Sequence, residues 1–232
     1  MRIEILDNDD LVAQKAATLI AEEARIAVAL RGQFTLAVSG GRTPWKMLRR
    51  LAEEDVPWEA MHIFQVDERI APEGHSDRNL THLLESLSSR QQILADRIHA
   101  MPVEEQDIDA AAAGYAITIS DIAGKQSIID LIHLGLGPDG HTASLIPGDP
   151  VLEVNDGDVA TTGIYQGRCR MTLTYPLINR ARKILWVVTG SEKSEMLQHM
   201  LDRDPSIPAG RISQHNALVL ADMEAAKKIT QL

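Results

Sequence analysis

The stretch Ile129–Pro150, IDLIHLGLGPDGHTASLIPGDP, decides the reading of this chain. It opens with a short run rich in branched apolar residues, Ile129 to Leu134, broken only by Asp130 and His133. Such a run predicts a strand buried on both faces. Gly135, Gly137, Pro138 and Gly140 then impose turn chemistry. Asp139 and His141 stand inside that turn, with Thr142 and Ser144 just beyond. A carboxylate, an imidazole and two hydroxyls therefore leave the C-terminal end of a buried strand together, where open α/β sheets bind ligands.

The same stretch matches G-x-G-x-x-G over Gly135–Gly140. That fingerprint requires a helix whose N-terminus meets a pyrophosphate, and an acid about 20 residues on. Glu153, Asp156 and Asp158 could supply the acid, but Pro147, Gly148 and Pro150 interrupt any helix, and Asp139 would face the pyrophosphate. Dinucleotide binding is not the expectation.

Working outward, strand and helix patterns alternate along nearly the whole chain. Arg2–Leu6 alternates as a first strand, and Asn8–Leu30 has helical periodicity with a cap at Asn8 or Asp9. Phe34–Ser39 is a buried strand, followed by Gly40-Gly41-Arg42-Thr43-Pro44. Here Thr43 suits an N-cap and Pro44 the first helical position of a helix running to about Glu54. His62–Val66 is a strand ending in Asp67-Glu68-Arg69, and a helix is expected near Leu80–Leu87. Ile98–Met101 is a short strand and Asp107–Ala123 a helix. Strands at Val159–Tyr165, Arg170–Thr174, Lys183–Thr189 and Ala217–Ala221, with helices to about Leu201 and over Asp222–Lys228, complete the pattern. The alternation predicts an α/β fold: a doubly wound, mostly parallel, Rossmann-like sheet with helices on both faces. No linker or repeat divides the chain, so one domain over residues 1–232 is expected.

Composition narrows the function classes. The 232 residues carry a net charge of −10 and no basic run, which argues against a nucleic-acid partner. Cys169 is the only cysteine, so neither an intrachain disulfide nor a cysteine zinc cluster forms. No apolar run approaches the roughly 20 residues of a membrane span, and MRIEILDNDD lacks a signal-peptide core. A cytoplasmic protein with a small-molecule substrate and no membrane partner is the expectation.

Taken singly, the polar segments have plain readings beside the functional ones. Gly40–Pro44 is either an anion-binding turn at a helix N-terminus or an ordinary tight turn with a Thr cap. Asp67-Glu68-Arg69 alone reads as a solvated rim, and Ser76, Asp77 and Asn79 as helix capping. Arg170 and Lys193 alone read as surface charge, although Lys193 follows a strand-to-helix turn like the first one. His141 is one of eight histidines, set apart by Asp139 two residues before it. A carboxylate there can fix the imidazole tautomer and raise its basicity. No H-E-x-x-H occurs, so no metal site is read.

Six segments together resemble the 6-phosphogluconolactonases, which share a fold with the glucosamine-6-phosphate isomerases/deaminases. They are Ser39-Gly-Gly-Arg-Thr-Pro44, Asp67-Glu-Arg69, Ser76-Asp-Arg-Asn79, Gly135-Leu-Gly-Pro-Asp-Gly-His-Thr-Ala-Ser-Leu145, Arg170-Met-Thr-Leu-Thr174 and Thr189-Gly-Ser-Glu-Lys193. The resemblance implies hydrolysis of 6-phosphoglucono-δ-lactone to 6-phosphogluconate, without cofactor or metal. By position it implies His141 as the acid/base residue beside Asp139, with Arg69 and Asp67 in the catalytic set. Gly40, Gly41, Arg42, Thr43, Arg170 and Lys193 would surround the substrate phosphate. The chain departs from the common pattern at Arg42 (usually Ser), Arg78 (often Ser) and Ile146 (usually Phe); the backbone donors of the first turn are unaffected by Arg42. In the deaminases an acid aligns with Ile146. Two other functions stay open: an aldose–ketose isomerase/deaminase, and a non-catalytic sugar-phosphate sensor, against which the retained Asp139 and His141 argue. A Ser-His-Asp triad using Ser144 is the competing mechanism, ranked second because no G-x-S-x-G elbow occurs.

Overall fold

The computed structural model describes residues 1–90 and 95–229. Seven strands form one sheet, parallel throughout: β1 (Arg2–Leu6), β2 (Phe34–Val38), β3 (Met61–Gln65), β5 (Ile98–His99), β6 (Leu131–Leu134), β9 (Lys183–Val188) and β10 (Ala217–Asp222). Their spatial order is β1-β10-β9-β6-β2-β3-β5. The three short strands β4 (Asp67–Arg69), β7 (Val159–Thr161) and β8 (Arg170–Leu173) form a separate antiparallel sheet in the order β4-β8-β7.

Helices cover both faces of the main sheet, which is why its strands read as unbroken apolar runs rather than alternating ones. On one face Leu36, Leu131, Leu185, Leu218 and Leu220 pack with α1 (Asp9–Arg31) and α2 (Arg42–Leu51). On the other, Ala37, Ile132, Trp186 and Val219 pack with α4 (Ile108–Ala123), α5 (Tyr175–Asn179), α6 (Ser194–Leu201) and α7 (Met223–Ala226). The buried stripe of α1 is mostly alanine: Ala13, Ala16, Ala17, Ala21, Ala24 and Ala27. Asn8 caps the helix by accepting from Leu11 N–H at 3.0 Å, and Gly32, at φ 79°, ends it in the left-handed conformation. Among the described residues no helix is long and apolar enough to cross a membrane.

The doubly wound parallel sheet is as expected, but several local expectations are corrected. The strand expected to run to Tyr165 stops at Thr161, because residues 165–168 fold into a tight hairpin of their own. Thr43 is not an N-cap: Gly41 is, at φ 136° with no side-chain cap bond, and Thr43 and Pro44 lie inside the first turn of α2. Nor is Asp67-Glu68-Arg69 a solvated rim, since Asp67 and Glu68 are buried in β4. The cap of α3 (Asn79–Ser86) comes from outside it, with Glu68 accepting from Asn79 N–H and Leu80 N–H at 2.7 and 2.8 Å.

The topology places the site. After β2 the chain steps to β3 and β5; after β6 it steps the other way, to β9 and β10. β2 and β6 are neighbours, so the crevice beyond their C-terminal ends is a topological switch point. The two turns singled out in the sequence both open there.

Candidate active site

The turn after β6 is built to aim His141. Gly137 N–H donates to His141 O at 2.7 Å, and Thr142 Oγ1 donates to Gly135 O at 2.8 Å. The imidazole lies against Gly137, where a Cβ would stand 2.1 Å from Nδ1; any side chain there would displace the ring. Asp139 Oδ1 is 2.5 Å from His141 Nδ1 and also accepts the His141 backbone N–H at 3.2 Å. Its other oxygen, Oδ2, accepts from Tyr165 Oη at 2.8 Å. Burial works against ionisation of Asp139, but the bonds from His141 and Tyr165 outweigh it and hold the carboxyl well below its ordinary value. With an ionised carboxylate at Nδ1, the ring proton is assigned to Nδ1 and Nε2 is left to accept.

The turn after β2 is fixed by its neighbours. Ser39 N–H donates to Nδ1 of the buried His133 at 3.2 Å, and Ser39 Oγ donates to His133 O at 3.1 Å. Asn79 packs directly on Gly40: a Cβ there would meet Asn79 Oδ1 at 2.1 Å. The Thr43 and Thr189 hydroxyls bond at 2.7 Å, tying this turn to the one after β9. The first-turn N–H groups of α2 lack intrahelical partners by construction.

The small antiparallel sheet supplies the remaining groups. Its register sets Arg69 opposite Arg170 and Asp67 opposite Thr172. Asp67 Oδ2 accepts from Ser144 Oγ at 2.6 Å and lies 3.9 Å from Arg170 Nη1. Arg69 Nη1 donates to Asp77 O at 2.8 Å. The Arg170 guanidinium rests 4.9 Å over the Tyr165 ring, and burial lowers its pKa. Burial likewise lowers that of Lys193, on the 3-10 turn after β9, against the opposing pull of Glu192 and Asp139.

These elements enclose an open cavity of about 260 Å³. Gly40, Gly41, Arg42, Thr43, Asp67, Arg69, His141, Arg170 and Lys193 all line it. Asp139, the remaining residue of the expected set, stands behind His141 and holds it. Asn79, Thr189 and Glu192 line the cavity as well. Ser144 does not fit the competing triad: it is fully buried and bonds Asp67 rather than His141. Tyr165, which the sequence marks only as the end of a strand, is a further neighbour of the pair, bonding Asp139 and meeting the His141 ring. Among the described residues no group of three or more His, Cys, Asp or Glu is placed to hold a metal ion.

Fold and site thus define a doubly wound α/β protein with a histidine–aspartate pair and four cations around one crevice. A family model described as glucosamine-6-phosphate isomerases/6-phosphogluconolactonase matches residues 7–220. The 6-phosphogluconolactonase of Synechocystis sp. is 35% identical over 236 residues, covering 98% of each chain. That of Mycobacterium tuberculosis is 32% identical over 241 residues, again covering 98% of each. The crystal structure of 6-phosphogluconolactonase from Thermotoga maritima superposes with a TM-score of 0.84 at 27% identity, covering 95% of this chain and 98% of that one. The chain belongs to the glucosamine-6-phosphate isomerase/6-phosphogluconolactonase family.

Proposed function

We propose that this protein hydrolyses 6-phospho-D-glucono-1,5-lactone to 6-phosphogluconate, the second step of the oxidative pentose phosphate pathway. The observation that carries the reading is the His141–Asp139 pair, with His141 on the wall of a cation-lined cavity, in a chain similar over nearly its full length to named lactonases.

The chemistry suits these residue types. A lactone is an activated ester, so a positioned water replaces a covalent nucleophile. The turn Gly40–Thr43 receives the phosphate through backbone donors, with Arg42, Arg170 and Lys193 supplying charge. Neutral His141 takes a proton from water at Nε2 as the oxygen attacks the carbonyl carbon, and Asp139 stabilises the imidazolium that forms. Arg69 faces the oxyanion. The carbonyl–ring oxygen bond then breaks, and the imidazolium returns its proton to the leaving ring oxygen. Asp67 keeps Ser144 and Arg170 in register around this centre.

The test is hydrolysis of freshly generated 6-phosphogluconolactone against its spontaneous opening. His141→Asn should lower kcat by roughly 10²–10⁴ with the fold intact. Near-native turnover in a folded His141→Asn protein removes His141 from the mechanism.

A further inference from the structure

Tyr165 does not line the cavity and lies outside the six segments that carry the family resemblance. It opens a two-residue hairpin, Tyr165-Gln-Gly-Arg168, whose ends exchange backbone bonds of 2.9 and 3.2 Å. Gln166 and Gly167 both have positive φ, 51° and 82°, as a type I′ turn requires. The hairpin is pinned at its far end, where Arg168 Nε donates to Asp77 Oδ2 at 3.0 Å. Arg69 in turn holds the carbonyl of Asp77. The tyrosine is thereby presented to the active site on a braced turn rather than on a loose loop.

Two contacts follow from that placement. The hydroxyl donates to Asp139 Oδ2 at 2.8 Å, the oxygen His141 does not use, and the ring meets the imidazole edge-on with centroids 5.5 Å apart. The ring face carries the Arg170 guanidinium at 4.9 Å, and Arg170 Nη2 reaches Gln166 Oε1 of the same hairpin at 3.2 Å. One side chain therefore touches both the acid/base pair and a cation assigned to the phosphate.

We propose that Tyr165 is a positioning residue that acts through two others: its hydroxyl fixes and moderates the Asp139 carboxylate behind His141, and its ring is the platform that aims Arg170. The inference rests on the lactonase reading for its kinetic arm only. A phenol that donates to a carboxylate spreads its negative charge and makes it a weaker acceptor for the imidazole proton. Burial and the Asp139 bond both raise the Tyr165 pKa, which keeps the phenol a donor across the working range. Arg170 on β8 and Lys193 beyond β9 act electrostatically on Asp139, and the other charged groups lining the cavity with His141 are Arg42 on α2, Arg69 and Asp67 on β4, and Glu192 beyond β9. Among the described residues only Tyr165 and His141 hydrogen-bond the Asp139 carboxylate.

Two substitutions separate the two roles. Tyr165→Phe removes the hydroxyl and keeps the platform; Tyr165→Ala removes both. In Tyr165→Phe the acid limb of the kcat/KM profile should move to higher pH by about half to one unit, the size of one lost hydrogen bond. The plateau kcat should fall roughly 3–10-fold, again one bond's worth, with KM within about twofold. Tyr165→Ala should add a rise in KM of about tenfold, as Arg170 loses its support. The activity-independent readout is ¹⁵N NMR of the His141 ring. The wild type should show a single tautomer protonated at Nδ1, and Tyr165→Phe a perturbed Nδ1 signal. A Tyr165→Phe enzyme whose pH profile and ¹⁵N spectrum both superimpose on the wild type overturns the hydroxyl role, and an unchanged KM in Tyr165→Ala overturns the platform. If the wild type fails to hydrolyse the lactone, the lactonase reading falls, while the NMR comparison still decides whether Tyr165 governs the pair.

Discussion

Ser144 Oγ donates to Asp67 Oδ2 at 2.6 Å, joining the turn after β6 to the small antiparallel sheet. Arg170 Nη1 donates to the same hydroxyl at 3.4 Å, so both the proton and a lone pair of Ser144 are committed. A serine so engaged, fully buried and bonded to a carboxylate other than that of the His141 pair, is a strut. Ser144→Ala should retain kcat within a few-fold. The same change should cost about 1–3 kcal/mol of stability, because the buried Asp67 oxygen loses its donor. Kinetics and urea denaturation on one preparation check both; complete loss of turnover in a folded variant would restore the serine triad.

Arg170 comes from β8 of the small sheet and Lys193 from the 3-10 turn after β9 of the main sheet, and both line one cavity. If they read the phosphate, Arg170→Ala should lower kcat/KM on 6-phosphogluconolactone by about 1.5–3 kcal/mol, roughly 10- to 150-fold. Unphosphorylated gluconolactone, a poor substrate from the outset, should lose far less. Lys193→Met gives an independent arm, since Lys193 lies outside the Ser144 and Tyr165 contacts. Equal losses on both lactones for both variants would show that these cations do not address the phosphate.

The fold was legible because its signals are local. Apolar runs ending in glycine turns gave β2, β6 and β9 of the main sheet, and periodicity gave α1. The His141 turn was legible for the same reason: Asp139, Gly137 and His141 are neighbours in sequence, and their geometry is set within the turn. What escaped was non-local. Glu68 looks like one charge in a polar triplet, and nothing in the chain marks it as the buried acceptor that caps α3 from outside. Thr43 is a plausible cap by residue type, but its hydroxyl finds Thr189, 146 residues away. Tyr165 was hidden because the Gln166-Gly167 hairpin interrupts what reads as a continuing strand, and its partner Asp139 is 26 positions distant.

His133 carries a pH prediction. It is fully buried on β6, and burial pushes its imidazole down to about 3, whereas in an unfolded chain it titrates near its usual value of about 6.5. Between those values the unfolded chain binds a proton that the fold refuses. Stability is therefore full above about pH 6.5 and falls as the pH drops, by roughly 1.4 kcal/mol per pH unit from this side chain. His99, lowered to about 4 by burial, His62 and Arg97, adds to the same slope. His133→Leu should be less stable at pH 7.5, because Ser39 N–H loses its acceptor, yet should lose less on acidification to pH 5. Urea midpoints at the two pH values measure this, and an unchanged acid slope in His133→Leu would clear the residue.

The family model is described by isomerases as well as lactonases, and Ile146 is the position on which we predict the two activities part. The Asp-Gly-His turn is common to both and cannot discriminate. An isomerase must open a pyranose ring and move a proton between adjacent carbons, so it needs a further carboxylate near the imidazole to carry that traffic. The position where the resemblance places the deaminase acid holds Ile146, buried and apolar, between the buried Leu145 and the exposed Pro147. Asp149, the next acid along the chain, is occupied elsewhere: its oxygens accept from Val151 N–H and Gly163 N–H, both at 2.9 Å. Glu192 lines the cavity, but its carboxylate folds back against Gly190, where an added Cβ would meet Glu192 Oε2 at 2.5 Å. Asp67 is held by Ser144 and Asn79. Lactone hydrolysis asks for one acid/base group and a water, which His141 and its cavity supply. Purified protein should therefore release neither ammonia nor fructose 6-phosphate from glucosamine 6-phosphate while hydrolysing the lactone. Ile146→Glu should not create a working deaminase, since one buried carboxylate cannot rebuild the whole proton path. Steady ammonia release by the wild type, followed in a coupled assay, would reassign the protein to the isomerase side of its family.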